Sequence, residues 1–400
     1  MNNIFYVYAD HDAGPDSCME ASLSLPAPPY ELLDALDKLR LEEGESEKFR
    51  IEEYYRFHFL APYLGEKCDL YQLNALAQRL SELNEEQGAA FEGLLRTAVL
   101  KEEGPRGIPD LINMACSTDC CHVVGEALND SQLGWFCAEN GFCPELDDLP
   151  DEVFELLDFE RIGREHRQAE GGVFIERTAD HPGGYVEQHS DVNDVYKTLD
   201  LSPKVPDYAI LLEVSHNGST ALLKLPAGES KMAAVPRRLD EPDWLDLTWR
   251  CLDCRVPALA ELISNGDADI DFLNHLAKHL ADMEPKALTA YKALLEAAGC
   301  QSLPCAELLM DTLDQYVFSP RVASPVDAAK EELAVILCER EAAQITPHLN
   351  LYQYGQSLIQ ECGGVLTGYG LIERKDGEPI LAMKRQLQQG GMELRPYGQL

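Results

Sequence analysis

Apolar positions along this chain change period three times, and then the whole succession repeats. IFYVYA (4–9) and ASLSLPA (21–27) alternate or run apolar between turn formers, which predicts two strands of a small sheet; YAILLEV (208–214) and TALLKLPA (220–227) predict the same pair later. Helical spacing follows at Asp69 and again at Asp269, each placed as the N-cap of an amphipathic helix. A further helix is expected after Asn84, with Glu85, Glu86 and Gln87 in its first turn, and after Glu284, where Pro285 suits the first helical position and Gly299 closes it. The spacing then predicts a helix from Asp151 to Arg167 with Val153, Phe154, Leu157 and Ile162 facing inward. Strands come after it in GGVFIER and GGYVEQH, matched later by GGVLTGYGLIERKDG.

The two halves also match residue by residue. Leu73-Asn74, Leu76-Ala77, Leu80, Leu94-Leu95 and Ala98 recur 200 positions on at Leu273-Asn274, Leu276-Ala277, Leu280, Leu294-Leu295 and Ala298, and Leu25-Pro26-Ala27 recurs at Leu225-Pro226-Ala227. Leu157-Asp158-Phe159, Gly163 and Gly171-Gly172-Val173 find partners 192 positions on at Leu349-Asn350-Leu351, Gly355 and Gly363-Gly364-Val365. A period this long excludes a solenoid and implies a duplicated domain set. The expected fold is α+β: an elongated, multi-module chain of two tandem copies. Each copy has a β-rich module (1–65, 206–265), a helical module (66–125, 266–325) and a mixed α/β module (126–205, 326–400).

Charge separates the copies. The formal net charge is -37; residues 1–200 hold 42 acidic and 15 basic side chains, a net of -27, leaving 28 and 18, or -10. From Gly107 to Glu160 there are thirteen Asp and Glu in 54 residues and no Lys or Arg. With 45% hydrophobic residues, the acid sits on folded structure rather than on a disordered tail. A 200-residue domain spans roughly 40 Å, over which duplex DNA carries roughly 25 phosphates, so the first copy has charge enough to stand in for a DNA segment of its own size. Acidity for solubility alone is the plainer alternative. Asp151 and Glu152 also suit a helix start, whereas Glu126, Asp130, Glu139, Glu145, Asp147 and Asp148 lack that explanation. On a helix from Pro150, Asp151, Glu152, Glu155, Asp158 and Glu160 would recur along one flank about 5 to 6 Å apart, near the spacing of phosphates on a strand. These eleven carboxylates form the candidate partner-binding surface.

Other chemistry is sparse. No phosphate-cradling, zinc-protease, nucleophile-elbow or dinucleotide motif occurs, and His122, His166 and His181 are scattered, so neither catalysis nor a cofactor is expected. Cys251 and Cys254 form a CxxC without a second ligand pair, which argues against a metal, and the thirteen Cys read as reduced. Trp135, Trp244 and Trp249 read as core, and Arg161, Arg164 and Arg167 as partners of nearby carboxylates. The N-terminus shows no secretory pattern and no window is apolar enough to span a bilayer, so a cytoplasmic location is expected, with anionic membranes and nucleic acid repelled.

LPDEVFELLDFERIGREH resembles the antirestriction motif of the ArdA family, with Leu149, Pro150, Glu152, Leu157, Asp158, Phe159 and Arg164 in the corresponding places. DLYQLNALAQRL and DLINMACSTDCCHV (110–123) are similar to Gram-positive members. Asp151 and Gly163 depart from the common pattern, and the second copy has Asn350 for Asp158 and Gln353 for Arg161. The resemblance implies a DNA mimic that occupies the DNA-binding groove of type I restriction-modification enzymes, its two copies standing for the two subunits of the family's dimer in one monomeric chain. The alternative is a non-catalytic acidic module for another basic protein, such as a nucleoid protein, recombinase or mobile-element regulator.

Overall fold

The computed structural model describes residues 2–11, 19–41, 47–146, 149–201, 204–266 and 268–380. It is α+β, with four three-stranded antiparallel sheets among the described residues. The first repeat runs β1 (Phe5–Asp10), β2 (Glu20–Leu25), α1 (Pro29–Leu39), β3 (Arg50–Tyr54), α2 (Leu70–Glu82), α3 (Glu85–Leu100), α4 (Ile108–Cys116), β4 (Cys121–Val124), α5 (Asp130–Glu139), α6 (Asp151–Phe154), α7 (Phe159–Glu170), β5 (Val173–Ile175) and β6 (Gly184–Gln188). The second runs β7 (Ile210–His216), β8 (Ser219–Leu225), α8 (Glu229–Arg238), β9 (Thr248–Cys254), α9 (Ala260–Asn265), α10 (Ile270–Asp282), α11 (Pro285–Ala298), α12 (Leu303–Asp311), β10 (Tyr316–Ser319), α13 (Pro325–Ile336), α14 (Glu339–Ile345), α15 (Leu351–Glu361), β11 (Val365–Thr367) and β12 (Gly370–Arg374). Sheet orders β2-β1-β3 and β4-β6-β5 recur as β8-β7-β9 and β10-β12-β11. No described helix is long and apolar enough to cross a membrane.

The recurring residues have structural reasons. Asn74, buried on α2, accepts from Ala27 N at 2.8 Å and donates to Ala27 O at 3.2 Å; Asn274 on α10 does the same to Ala227 at 2.7 and 3.0 Å. Each amide satisfies both backbone groups of the turn that follows β2 or β8, which fixes the sheet to the helix. Asp69 and Asp269 cap α2 and α10 through Gln72 N and Phe272 N, Asn84 forms a capping box with Gln87, and Gly299 ends α11 at φ 56°. Both first-module sheets carry a register irregularity at the same place, between Tyr6 and Val7 and between Leu211 and Leu212.

The chain forms two compact units: Met1–Tyr8, Ser22–Ala27 and Lys48–Pro203 in the first, Ala9–Ala21, Pro28–Glu47 and Lys204–Leu400 in the second. The expected 1–65 module is therefore divided, because α1 packs with unit 2. In unit 1, Asp180 accepts from Arg56 Nε at 2.9 Å and Phe57 N at 2.8 Å, and buried Glu92 on α3 lies 2.7 Å from His181 Nε2 and 2.5 Å from Arg96. In unit 2 one core takes in residues from β7 through to Ile372 and Ile380, while Val322, Ala328 and Leu371 form a second, smaller cluster with Ile359 and Leu366.

Helix α1 is held in unit 2 by charge. Lys292 on α11, 4% exposed, places Nζ 2.8 Å from Asp34 and 2.7 Å from Asp37, while the Tyr369 hydroxyl donates to Asp34 at 2.9 Å. Burial alone would raise the Asp34 pKa, but Lys292 and Lys38 outweigh it and hold the carboxyl below its usual range. Burial likewise opposes the Lys292 charge, and Asp34 with Asp37 raise its pKa regardless. At the other end of α1, Tyr30 N donates to Asp253 at 3.3 Å.

Three sequence expectations fail. The helix expected over Asp151–Arg167 is two helices, α6 and α7, separated by a turn through 155–158. Val153 is exposed rather than inward, whereas Ile162 packs on the core under α5 and α7. Trp135 is exposed, and Trp244 with Trp249 are half-buried at the edge of the core rather than within it.

Replacing Lys292 with Met should destabilise unit 2 by about 3–5 kcal/mol in urea titrations, since Asp34 is left charged and buried without its main partner. The network's contribution should be complete between about pH 4 and about pH 10.4. It is lost below that window as Asp34's depressed pKa is crossed, and above it as Lys292's raised pKa is crossed. In Lys292→Met the alkaline loss should be absent from a stability–pH profile.

Candidate partner-binding surface

The third module of unit 1 carries the acidic tract. Its frame is the crossing of α5 and α7, where two glycines bring backbone onto backbone. A Cβ at Gly134 would lie 1.8 Å from Phe159 O, and one at Gly163 would lie 1.9 Å from Asp130 O. The second repeat repeats this at Gly355, whose Cβ would meet Pro325 O at 1.6 Å. Gly163, a departure from the resembled motif, is thus required by packing.

Of the eleven candidate carboxylates, three already serve the fold. Asp130 is bound bidentately by Arg167, at 2.7 and 3.0 Å, and this hydrogen bonding lowers its pKa and raises that of Arg167. Glu160 pairs with Arg164, and Arg161 pairs with Glu165 at 2.8 Å, as expected of the three arginines. Asp158 caps α7 by accepting from Arg161 N at 3.1 Å, with φ -83° and ψ 81°. Asn350 caps α15 by the same bond, to Gln353 N at 3.1 Å, with φ -81° and ψ 83°. The exchange of Asp158 for Asn350 between repeats therefore preserves a cap and alters only charge.

Five others are exposed and make no ion pair or hydrogen bond among the described residues: Glu126 in the turn after β4, Glu139, Glu145, Glu152 on α6, and Glu155 in the following turn. Glu139 is the last residue of α5, where the helix dipole disfavours an anion, so helix folding does not account for it. Asp147 and Asp148 lie outside the described residues, and of Asp151 only the backbone, at the start of α6, is described. The break between α6 and α7 corrects the expected single row: Asp151, Glu152 and Glu155 do not share a helical flank with Asp158 and Glu160.

Sequence reading scattered His122 and His166, yet both face Glu187 on β6, His166 Nε2 at 3.0 Å and His122 Nδ1 at 3.8 Å. They line a cavity of about 230 Å3 with Cys121 and Cys137, whose thiols burial pushes up to about 12, leaving neither a thiolate nucleophile at neutral pH. No group of three or more His, Cys, Asp or Glu among the described residues is arranged to hold a metal ion. Position 92/292 was missed. Alignment of the two copies sets Glu92 against Lys292, a reversal of sign at a buried site, and that was the available signal.

Searches of protein-family models, of curated proteins and of solved structures each return no match to this chain.

Asp158→Ala should cost about 1 kcal/mol in urea unfolding of unit 1, while Asp158→Asn should be nearly neutral, as the cap at Asn350 implies. Equal losses for both substitutions would show that the carboxylate charge, not the cap, matters there.

Proposed function

We propose that the protein is a non-enzymatic DNA mimic that occupies the DNA-binding groove of a type I restriction-modification enzyme. The observation that carries this reading is the group Glu126, Glu139, Glu145, Glu152 and Glu155: five exposed carboxylates without an ion-pair partner among the described residues, all within a 54-residue tract that has no Lys or Arg. Unpaired like charges lower the stability of the domain that carries them, and a partner rich in Lys and Arg removes that repulsion. A groove that neutralises phosphates meets carboxylates at comparable charge density instead. The resemblance of 149–166 to the antirestriction motif supports the choice of target. The second repeat, with a net of -10, serves in this reading mainly as scaffold.

The test is competition with duplex DNA for a type I methyltransferase core, followed by gel shift at low and physiological salt. Wild-type protein should displace DNA, with potency falling as salt screens the carboxylates. Changing all five glutamates to Gln should weaken displacement by at least about tenfold, whereas Asp130→Asn should unsettle the α5–α7 contact and lower Tm with less effect on competition per folded molecule. Failure to displace DNA at low salt, with salt-dependent capture of a different basic DNA-binding protein, would favour the general acidic module.

A further inference from the structure

Three depressions in unit 2 share lining residues and form one groove. A cavity of about 580 Å3 beside α12 shares Gly266, Ala268 and Asp269 with a second of about 770 Å3, and the second shares Asp243, Trp244 and Asp271 with a third of about 390 Å3 beside α8. Their combined size is well beyond the 300–1,000 Å3 of a small-molecule pocket. The walls hold aromatic rings, Trp244 and Trp249 in edge contact with centroids 6.4 Å apart and Phe272 further along, and Leu245 stands 86% exposed at the rim.

Its carboxylates point to a cationic occupant. Asp243 and Asp269 each give an oxygen to a backbone N–H, at Leu245 and Phe272, while Glu229 and Asp271 are exposed and have no ion-pair partner among the described residues; Arg237 lines the same groove, so its described lining is acidic by four carboxylates to one guanidinium. Carboxylates that line a groove together with indoles suit Arg or Lys side chains, whose stems lie on apolar surface while the charge reaches the acid.

Unit 1 indicates what form of chain such a face takes. Gln72 stands 200 positions before Phe272, and there an irregular stretch of chain lies across α2 and α4: Gln72 donates to the Tyr196 hydroxyl at 2.9 Å, and Tyr196 N donates to Asn113 at 2.8 Å. That stretch follows β6. In unit 2 the chain after β12 turns at Asp376 and Gly377 (φ 74°) and brings Pro379 against Gly363, with Ile380 buried in the core; Tyr196 stands eight residues past the end of β6, and the position eight past the end of β12 lies outside the described residues. The described chain therefore does not supply a covering segment.

We infer that the groove running past Trp244, Trp249 and Phe272 binds an extended segment of another protein in which Arg or Lys alternates with apolar side chains. This surface is separate in sequence from the carboxylates of unit 1 and does not depend on DNA mimicry. Glu229 and Asp271 flank the entry for cations, and the tryptophans with Leu245 hold the apolar residues.

The test is fluorescence anisotropy on the full chain with a labelled peptide of about ten residues, long enough to span the groove when extended, in which Arg alternates with Leu and Pro. Two control peptides replace Arg with Glu, or Leu with Ser. At physiological salt the Arg/Leu peptide should bind at least about tenfold tighter than either control, and Trp244→Ala should weaken it about tenfold. Leu245→Ser, at a site exposed enough to leave folding intact, should weaken it about fivefold and the pair Glu229→Gln/Asp271→Asn about threefold, while Glu152→Gln/Glu155→Gln in unit 1 should change it less than about twofold. Equal binding of the Ser-containing peptide, or wild-type affinity in Leu245→Ser, would overturn the inference. So would a gain of about tenfold on removing residues 381–400, which would assign the groove to the chain's own C-terminal segment.

Discussion

A buried ammonium with two carboxylates determines how this chain is divided. Lys292 has almost no contact with water, and its charge is tolerable only because Asp34 and Asp37 of α1 lie within 3 Å and Tyr369 completes the shell. Helix α1 follows strands of the first sheet in sequence and nevertheless belongs to the second unit. Apolar packing alone would not select so sharply, since amphipathic helices of similar length accept many apolar faces. A buried charge does select, because any helix without an acid at the right turn leaves the lysine unpaired.

The equivalent site in the first repeat shows the same logic with the sign reversed. Glu92 occupies the place of Lys292 and is satisfied by His181 and Arg96. Asp34 and Asp37 would meet repulsion there. Helix α8, the counterpart of α1, carries Ala234 and Arg237 where α1 carries Asp34 and Asp37, so it lacks the acids that Lys292 needs. Duplication thus kept the Asp69 and Asp269 caps, the Asn74 and Asn274 clamps and the close approach at Gly163 and Gly355, and altered the charges that decide which segment covers which helix. The exposed acid of the first repeat is another result of that divergence, because surface charge can drift where caps and close contacts cannot.

How much of this was legible depends on what each residue does locally. Caps and apolar faces were readable because their signals lie within a few residues: Asp69, Asn84, Pro285 and Gly299 all act as expected. Strands β3, β4 and β10 were missed because they are short or largely polar; β3, RIEEY, has no fully buried residue, while in the seven-residue β9 Cys251 and Cys254 were read only as a CxxC pair. The helix through 151–167 failed for a different reason. Apolar spacing continues across the break, but Asp158 acts as a new N-cap, and that signal was read as part of an acidic row. Buried Glu92 and Lys292 were invisible to periodicity, which assigns charge to solvent, and became evident only once distant segments were brought together.

The two candidate surfaces should differ in range as well as in position. Carboxylates of the first repeat act through a field that extends about 8 Å at physiological ionic strength, enough to steer a basic partner and raise its encounter rate before any contact forms. The groove of unit 2 offers tryptophan and leucine, whose contribution begins only when water is expelled and is little affected by moderate salt. A partner using only the first surface would be released by salt. One using only the second would bind slowly but persist, because aromatic burial governs the rate of leaving more than the rate of arrival. On the two proposals made above, a chain with a net charge of -37 and half-buried indoles in an acidic groove would capture cationic proteins through one surface and retain them through the other, by forces that salt can separate.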